Sequence, residues 1–154
     1  MPQPLLDLDL PATPESATVA RKAVAEAVRD LAVDRDAVVA IVSEAVANCA
    51  AHAYPEREGR VRVHVESTED ALDVVVSDDG VGMGPAAESS GFGLGVPLMD
   101  DLSDEVQVDT SAGTRVAARF ELFGAAGPHG RQVPRPAFRG RTRRRLSRLL
   151  RGRR

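Results

Sequence analysis

The chain has no tryptophan and is only 3% aromatic, with one tyrosine and four phenylalanines. Its core must therefore be built from valine, leucine and alanine. A single cysteine, Cys49, excludes an intrachain disulfide and points to a reducing compartment. No stretch approaches the roughly 18 apolar residues of a membrane-spanning helix. The opening MPQPLLDLDLPATPES carries acids and prolines where a secretory signal would have a basic start and an apolar run. These absences predict a soluble, cytoplasmic protein. At 154 residues the chain is about one domain long, a size that buries most of its unfolded surface.

Net charge is small, at −3, but the charges are unevenly placed. Residues 131–154 hold eleven arginines and no acid, whereas the first 130 residues carry nine basic and 23 acidic side chains. This divides the chain into a folded acidic domain, 1–123, and a Gly/Pro/Arg-rich linker with a disordered basic tail, 124–154. The tail has several open readings: an approach to nucleic acid, to anionic lipid through Leu146, Leu149 and Leu150, or to the acidic body, or simply a solubilising segment. Phe138 is its sole aromatic, so base stacking is poorly supported and no specific nucleic-acid partner is expected.

Periodicity predicts an edge strand over 5–10, where LLDLDL alternates. A helix is expected from Pro14 to about Leu31, capped by Thr13, with Val19, Ala23, Val24, Ala27, Val28 and Leu31 on its inner face. A second helix, capped by Asp34, should end near Tyr54. Strands are expected over 60–66, 72–77, 105–109 and 114–122, with a short helix over 97–102. This order predicts an α+β two-layer sandwich: a mixed, mostly antiparallel sheet with helices on one face.

The second helix is apolar almost all round. In VVAIVSEAVANCAAHAY, Glu44, Asn48 and His52 stand at i, i+4 and i+8, one row on one face. Polar groups in such surroundings are costly unless something polar meets them. The row either faces a ligand or is the solvent-facing edge of a core helix; taken alone, the second is the simpler reading. Glu44 is suited to accept a hydroxyl proton. Asn48, one turn on, offers a neutral oxygen to a hard cation such as Mg²⁺. His52 would touch a phosphate or brace the helix end, and Cys49 should point away into the core.

Two glycine segments follow. In VVVSDDGVGMG, Asp78 ends a strand with Gly80 and Gly82 behind it, so the backbone can turn sharply and lie close to a flat ligand. Asp79 reads as a solvated neighbour. In SSGFGLGVPLMDDL, Gly91, Gly93 and Gly95 precede a helix start and would present open N–H groups to an anion. The run is neither a Walker A loop nor a dinucleotide fingerprint, because no Gly-Lys-Ser/Thr follows and Val96 occupies the third glycine position. Gly113 and Thr114, in SAGTRV, open the last strand at an ordinary-looking turn.

In this order the segments resemble the GHKL ATPase superfamily, the ATP-binding domains of gyrase-type enzymes, certain chaperones and sensor histidine kinases. SEAVANCAAHAY is similar to its N box, VVVSDDGVG and GFGLGVPLMDDL to its two glycine boxes, and GTRV to its closing element. The short first strand, the HAY ending and the compact length resemble its anti-sigma-factor serine/threonine kinases. The resemblance covers about residues 5–123. It implies a Bergerat-type fold holding ATP and Mg²⁺ under a flexible lid. Asp78 would bind the adenine amine, in a pocket shaped by Gly80, Gly82 and Thr114 with Met83 in the nucleotide-binding set. Asn48 would coordinate Mg²⁺, Gly91, Gly93, Leu94 and Gly95 would hold phosphates through the backbone, and Glu44 would activate the acceptor. The implied partners are a sigma factor and an anti-sigma antagonist protein, the latter phosphorylated on serine or threonine, and a homodimer is implied as well. The lid, 83–90, has no Lys or Arg and a single acid, Glu88. That leaves a second reading, a non-catalytic ATP-binding module of a partner-switching pathway.

Overall fold

The computed structural model describes residues 1–81, 99 and 101–123. The chain divides into two units, Met1–Gly124 and Ala125–Arg154, and the tail lies outside the described residues. The elements are β1 (Gln3–Pro11), α1 (Pro14–Ala27), α2 (Arg35–Asn48) continued by a π-helical turn (Cys49–Ala53), β2 (Arg60–Ser67), β3 (Ala71–Asp78), β4 (Glu105–Asp109) and β5 (Thr114–Glu121). Met99, Asp101 and Leu102 are helical, within the short helix expected there.

The strands form one sheet in the order β1-β2-β3-β5-β4. Every pairing is antiparallel, so the expected mixed sheet is uniform among the described residues. In β2 the alternation RVRVHVES sends Val61, Val63, Val65 and Ser67 inward. Leu72, Val74 and Val76 of β3 and Val116, Ala118 and Phe120 of β5 complete the inner face. The edge strand β1 presents Leu6, Leu8 and Leu10 to the core, and a register shift between Pro4 and Leu6 absorbs the extra leucine.

Helix α2 packs against both α1 and the sheet. Asp34 caps it as expected, accepting from the Ala37 N–H at 3.2 Å. Ala37, Val38, Ile41, Val42, Ala45 and Val46 are buried along it. The helical segment Arg35–Ala53 is 19 residues long with a mean hydropathy of 1.2, enough by length and composition to cross a membrane. This departs from the expectation that no such stretch exists. Here α1 and the sheet cover its apolar faces, the position of a core helix.

Helix α1 differs from expectation at both ends. Thr13 holds the cap position without a side-chain cap bond, and the helix stops at Ala27. Val28 and Leu31 still reach the core, but from the turn that follows. The buried row is Ser16, Ala20 and Val24, while Val19 is 48% exposed. A serine can occupy that row because its Oγ donates to the Pro11 carbonyl at 2.5 Å. Judging the stripe by apolar residues alone skips Ser16 and assigns Val19 to the wrong side.

The outer face of the sheet carries charge. Arg119 makes two bonds to the Asp73 carboxylate, at 2.9 and 3.0 Å, and Arg60 meets Asp9 across β1 and β2 at 2.6 Å. His64 stands between Asp7 (2.5 Å) and Glu66 (3.3 Å). A hollow of about 310 Å³ lies on this face, lined by Glu66, Asp73, Val75, Gln107, Arg115 and Arg119 among others. It includes none of the predicted site residues.

Two outcomes are expected. Ile41→Ala should cost about 2–5 kcal/mol, whereas Val19→Ala should stay within about 0.5 kcal/mol, measured by urea unfolding. Bonds to Asp7 and then Glu66 raise the His64 pKa above its ordinary 6.5. Its protonated form is therefore favoured in the folded state, and that stabilisation is present below pH 6.5 and lost as pH rises through the raised value. His64→Gln should flatten that part of the stability-versus-pH curve.

Candidate functional site

The site grows from the ends of two buried elements, β3 and α2. Asp78 is the last residue of β3, and its half-buried carboxylate needs partners. Its Oδ1 accepts from the Gly80 N–H at 2.9 Å and from the Thr114 N–H at 3.2 Å. Asp78, Gly80 and Thr114 are thus brought together as the motifs imply. The pairing of Asp78 with Thr114 across β3 and β5 puts the closing Gly-Thr element beside the first glycine box.

Two glycines make this junction possible. Gly113 has φ +81°, a left-handed conformation, and an added Cβ would collide with the Asp78 carbonyl. At Gly80 a Cβ would collide with the Ala53 carbonyl. That carbonyl accepts the Val81 N–H at 2.9 Å, so the loop after β3 is bonded to the end of the helical segment. Gly113 is therefore more than an ordinary turn residue.

Glu44 and Asn48 are both half-buried on α2, one turn apart. His52, also half-buried, lies beyond them in the π-helical turn. The i→i+5 bonds of such a turn break the 3.6-residue period, so the row that aligns Glu44 with Asn48 does not extend unchanged to His52. Ala47 and Ala51 are exposed, leaving small side chains around the polar ones.

Cys49 is buried at 4% exposure and belongs to the core, as expected. Burial and then the Asp78 charge push its pKa up to about 12, so it stays protonated. The HAY ending holds a second set of contacts that sequence reasoning missed. The Tyr54 hydroxyl lies 2.6 Å from both the Asp79 Oδ1 and the Arg60 carbonyl, and donates to one at a time. Asp79 is solvent-exposed yet bonded, and its carboxyl is held below the usual range by Tyr54 first and Arg57 next. A lone tyrosine among so few aromatics was the available signal. Gly82, Met83, Gly91, Gly93, Leu94 and Gly95 lie outside the described residues.

The donor set suits a magnesium nucleotide: an oriented carboxylate acceptor for an amine, and a carboxylate and an amide one turn apart on a helix of small residues. Gly80→Ala and Gly113→Ala should each destabilise the protein by more than about 1 kcal/mol, because each Cβ meets backbone rather than a yielding side chain. Chemical denaturation checks this.

Known proteins resemble this chain over most of its length. The family described as "Histidine kinase-like ATPase domain" matches residues 10–120. The chain is 31% identical to the serine-protein kinase RsbW of Bacillus velezensis, over 83% of this chain and 92% of that protein. It is also 31% identical to the serine-protein kinase RsbW of Bacillus subtilis, over 80% of this chain and 89% of the relative. With the anti-sigma F factor of Clostridium novyi it shares 34% identity over 53% of this chain and 66% of that protein. The chain belongs to the histidine kinase-like ATPase domain family.

Proposed function

We propose that this protein is an ATP-dependent serine/threonine protein kinase that phosphorylates an anti-sigma antagonist and sequesters a sigma factor, acting in the cytoplasm. One observation carries this reading: the Asp78 carboxylate, pinned by two backbone N–H groups, sits at the loop bonded to the end of the helical segment that bears Glu44 and Asn48. The kinase and anti-sigma names of its relatives support it.

In this reading Asp78 accepts the exocyclic amine of adenine, with Gly80, Gly82, Met83 and Thr114 around it. Asn48 offers its amide oxygen to Mg²⁺. Gly91, Gly93, Leu94 and Gly95 give backbone N–H groups to the phosphates, and His52 supports them or the helix end. Bound ATP with Mg²⁺ supplies the phosphoryl group and the neutralised charge that its transfer needs. Glu44 takes the proton of the acceptor hydroxyl. The lid, 83–90, lacks any Lys or Arg, so turnover should be slow. The domain 1–123, its pairing into a homodimer, and contact of the arginine tail with an anionic surface belong to the same reading.

That lid also favours the second reading, in which ATP only shapes a protein-binding surface. Labelled ATP and a candidate antagonist separate the two. Transfer should occur, and Glu44→Ala should reduce it by about 10²-fold or more. Asp78→Asn should weaken nucleotide binding by about tenfold or more, read by calorimetry. Nucleotide binding without transfer to any partner would favour the second reading. A folded protein with no affinity for adenine nucleotides would overturn both.

A further inference from the structure

Asp79 separates Asp78 from Gly80, the residue whose N–H orients the Asp78 carboxylate. All three polar groups of Asp79 are taken by the segment just past the end of the helix. Its N–H donates to the Tyr54 hydroxyl oxygen at 3.1 Å. Its carboxylate lies 2.6 Å from that hydroxyl, and its carbonyl accepts from the Arg57 Nη2 at 3.1 Å. With the bond from Val81 to the Ala53 carbonyl, Asp79 and Val81 tie this loop to Ala53, Tyr54 and Arg57.

The Tyr54 side chain is itself held in place. The Arg57 guanidinium stacks over its ring, 4.8 Å from the centroid. Gly59 leaves the space the ring fills, since a Cβ there would overlap it. The hydroxyl also reaches the Arg60 carbonyl at the start of β2. One side chain therefore joins the helix end, the first residue of β2 and the peptide following Asp78.

We propose that Tyr54 is a positioning residue for the nucleotide site: its hydroxyl holds the 79–81 backbone against the end of the helical segment and so sets the direction of the Asp78 carboxylate. The inference rests on the nucleotide-binding reading above. Tyr54 touches no reacting group, so its effect falls on affinity and leaves the chemical step alone.

The test uses the full-length chain. Tyr54→Phe keeps the ring over Gly59 and removes only the hydroxyl. It should weaken binding of ADP and of ATP with Mg²⁺ about fivefold, the equivalent of one ordinary hydrogen bond. It should raise KM for ATP in phosphate transfer while leaving kcat unchanged. Asp79→Ala should cause a smaller loss, because the Asp79 N–H still bonds the Tyr54 hydroxyl, and the double variant should lose no more than Tyr54→Phe alone. Asp79→Asn, which keeps the acceptor oxygen, should retain most of the affinity. Amide exchange at Gly80 and Val81 in the nucleotide-free protein should quicken in Tyr54→Phe. A fall in melting temperature with unchanged nucleotide affinity would reduce Tyr54 to a structural role and overturn the proposal, as would additive losses in the double variant. No nucleotide binding by the unmutated protein would overturn the function and the positioning role together. Binding that Tyr54→Phe leaves intact would overturn the positioning role alone.

Discussion

A carboxylate at the end of a central, buried strand has to be met by donors, and the way Asp78 is met organises the whole site. Its Oδ1 takes N–H groups from the loop that follows it and from the start of β5. Burial, and after it the Asp78 charge, push up the pKa of the Cys49 thiol on the helical segment. Two separate parts of the chain thus converge on one carboxylate oxygen. Such convergence keeps a half-buried carboxylate bonded and aimed. It is also what a recognition group needs, since a group held in advance loses little freedom when a ligand arrives.

Around that charge the backbone is brought closer than side chains allow. Gly80 lies against the Ala53 carbonyl and Gly113 against the Asp78 carbonyl, so these two glycines are spatial requirements rather than signs of softness. The π-helical turn belongs to the same geometry. By widening the last turn, it ends the helix with Ala53 able to accept the Val81 N–H, and it carries Tyr54 onto Asp79. Turns of this kind recur at functional sites because they change the direction of side chains that a regular helix would stack in one row.

The two faces of the sheet divide the work. The inner face, valine-rich because the chain has almost no aromatic residues, grips α2 on one side while α1 grips it on another. Beyond its first turn, Val39, several alanines and the polar residues Ser43, Glu44, Asn48 and His52 remain at least partly open along the helical segment. The outer face is a field of paired charges, and its ion pairs tie the edge strand β1 to β2. Exposed pairs of this sort add little stability individually. Charged side chains on an edge strand do, however, discourage pairing with foreign strands.

Local rules were enough to make most of the fold legible in the sequence. Strand alternation located every strand to within about two residues, the Asp34 cap started α2 where expected, and the ordered motifs indicated the family. Nearest-neighbour chemistry of this kind depends on residues a few positions apart, which a sequence displays directly. What it could not display were contacts between distant segments. The burial of Ser16 depended on the Pro11 carbonyl, and the role of Tyr54 on Asp79, 25 residues away. The direction of His52 depended on a turn that departs from the helical period. Each was decided by which donor met which acceptor once the strands had paired, and that pairing exists only in the folded chain.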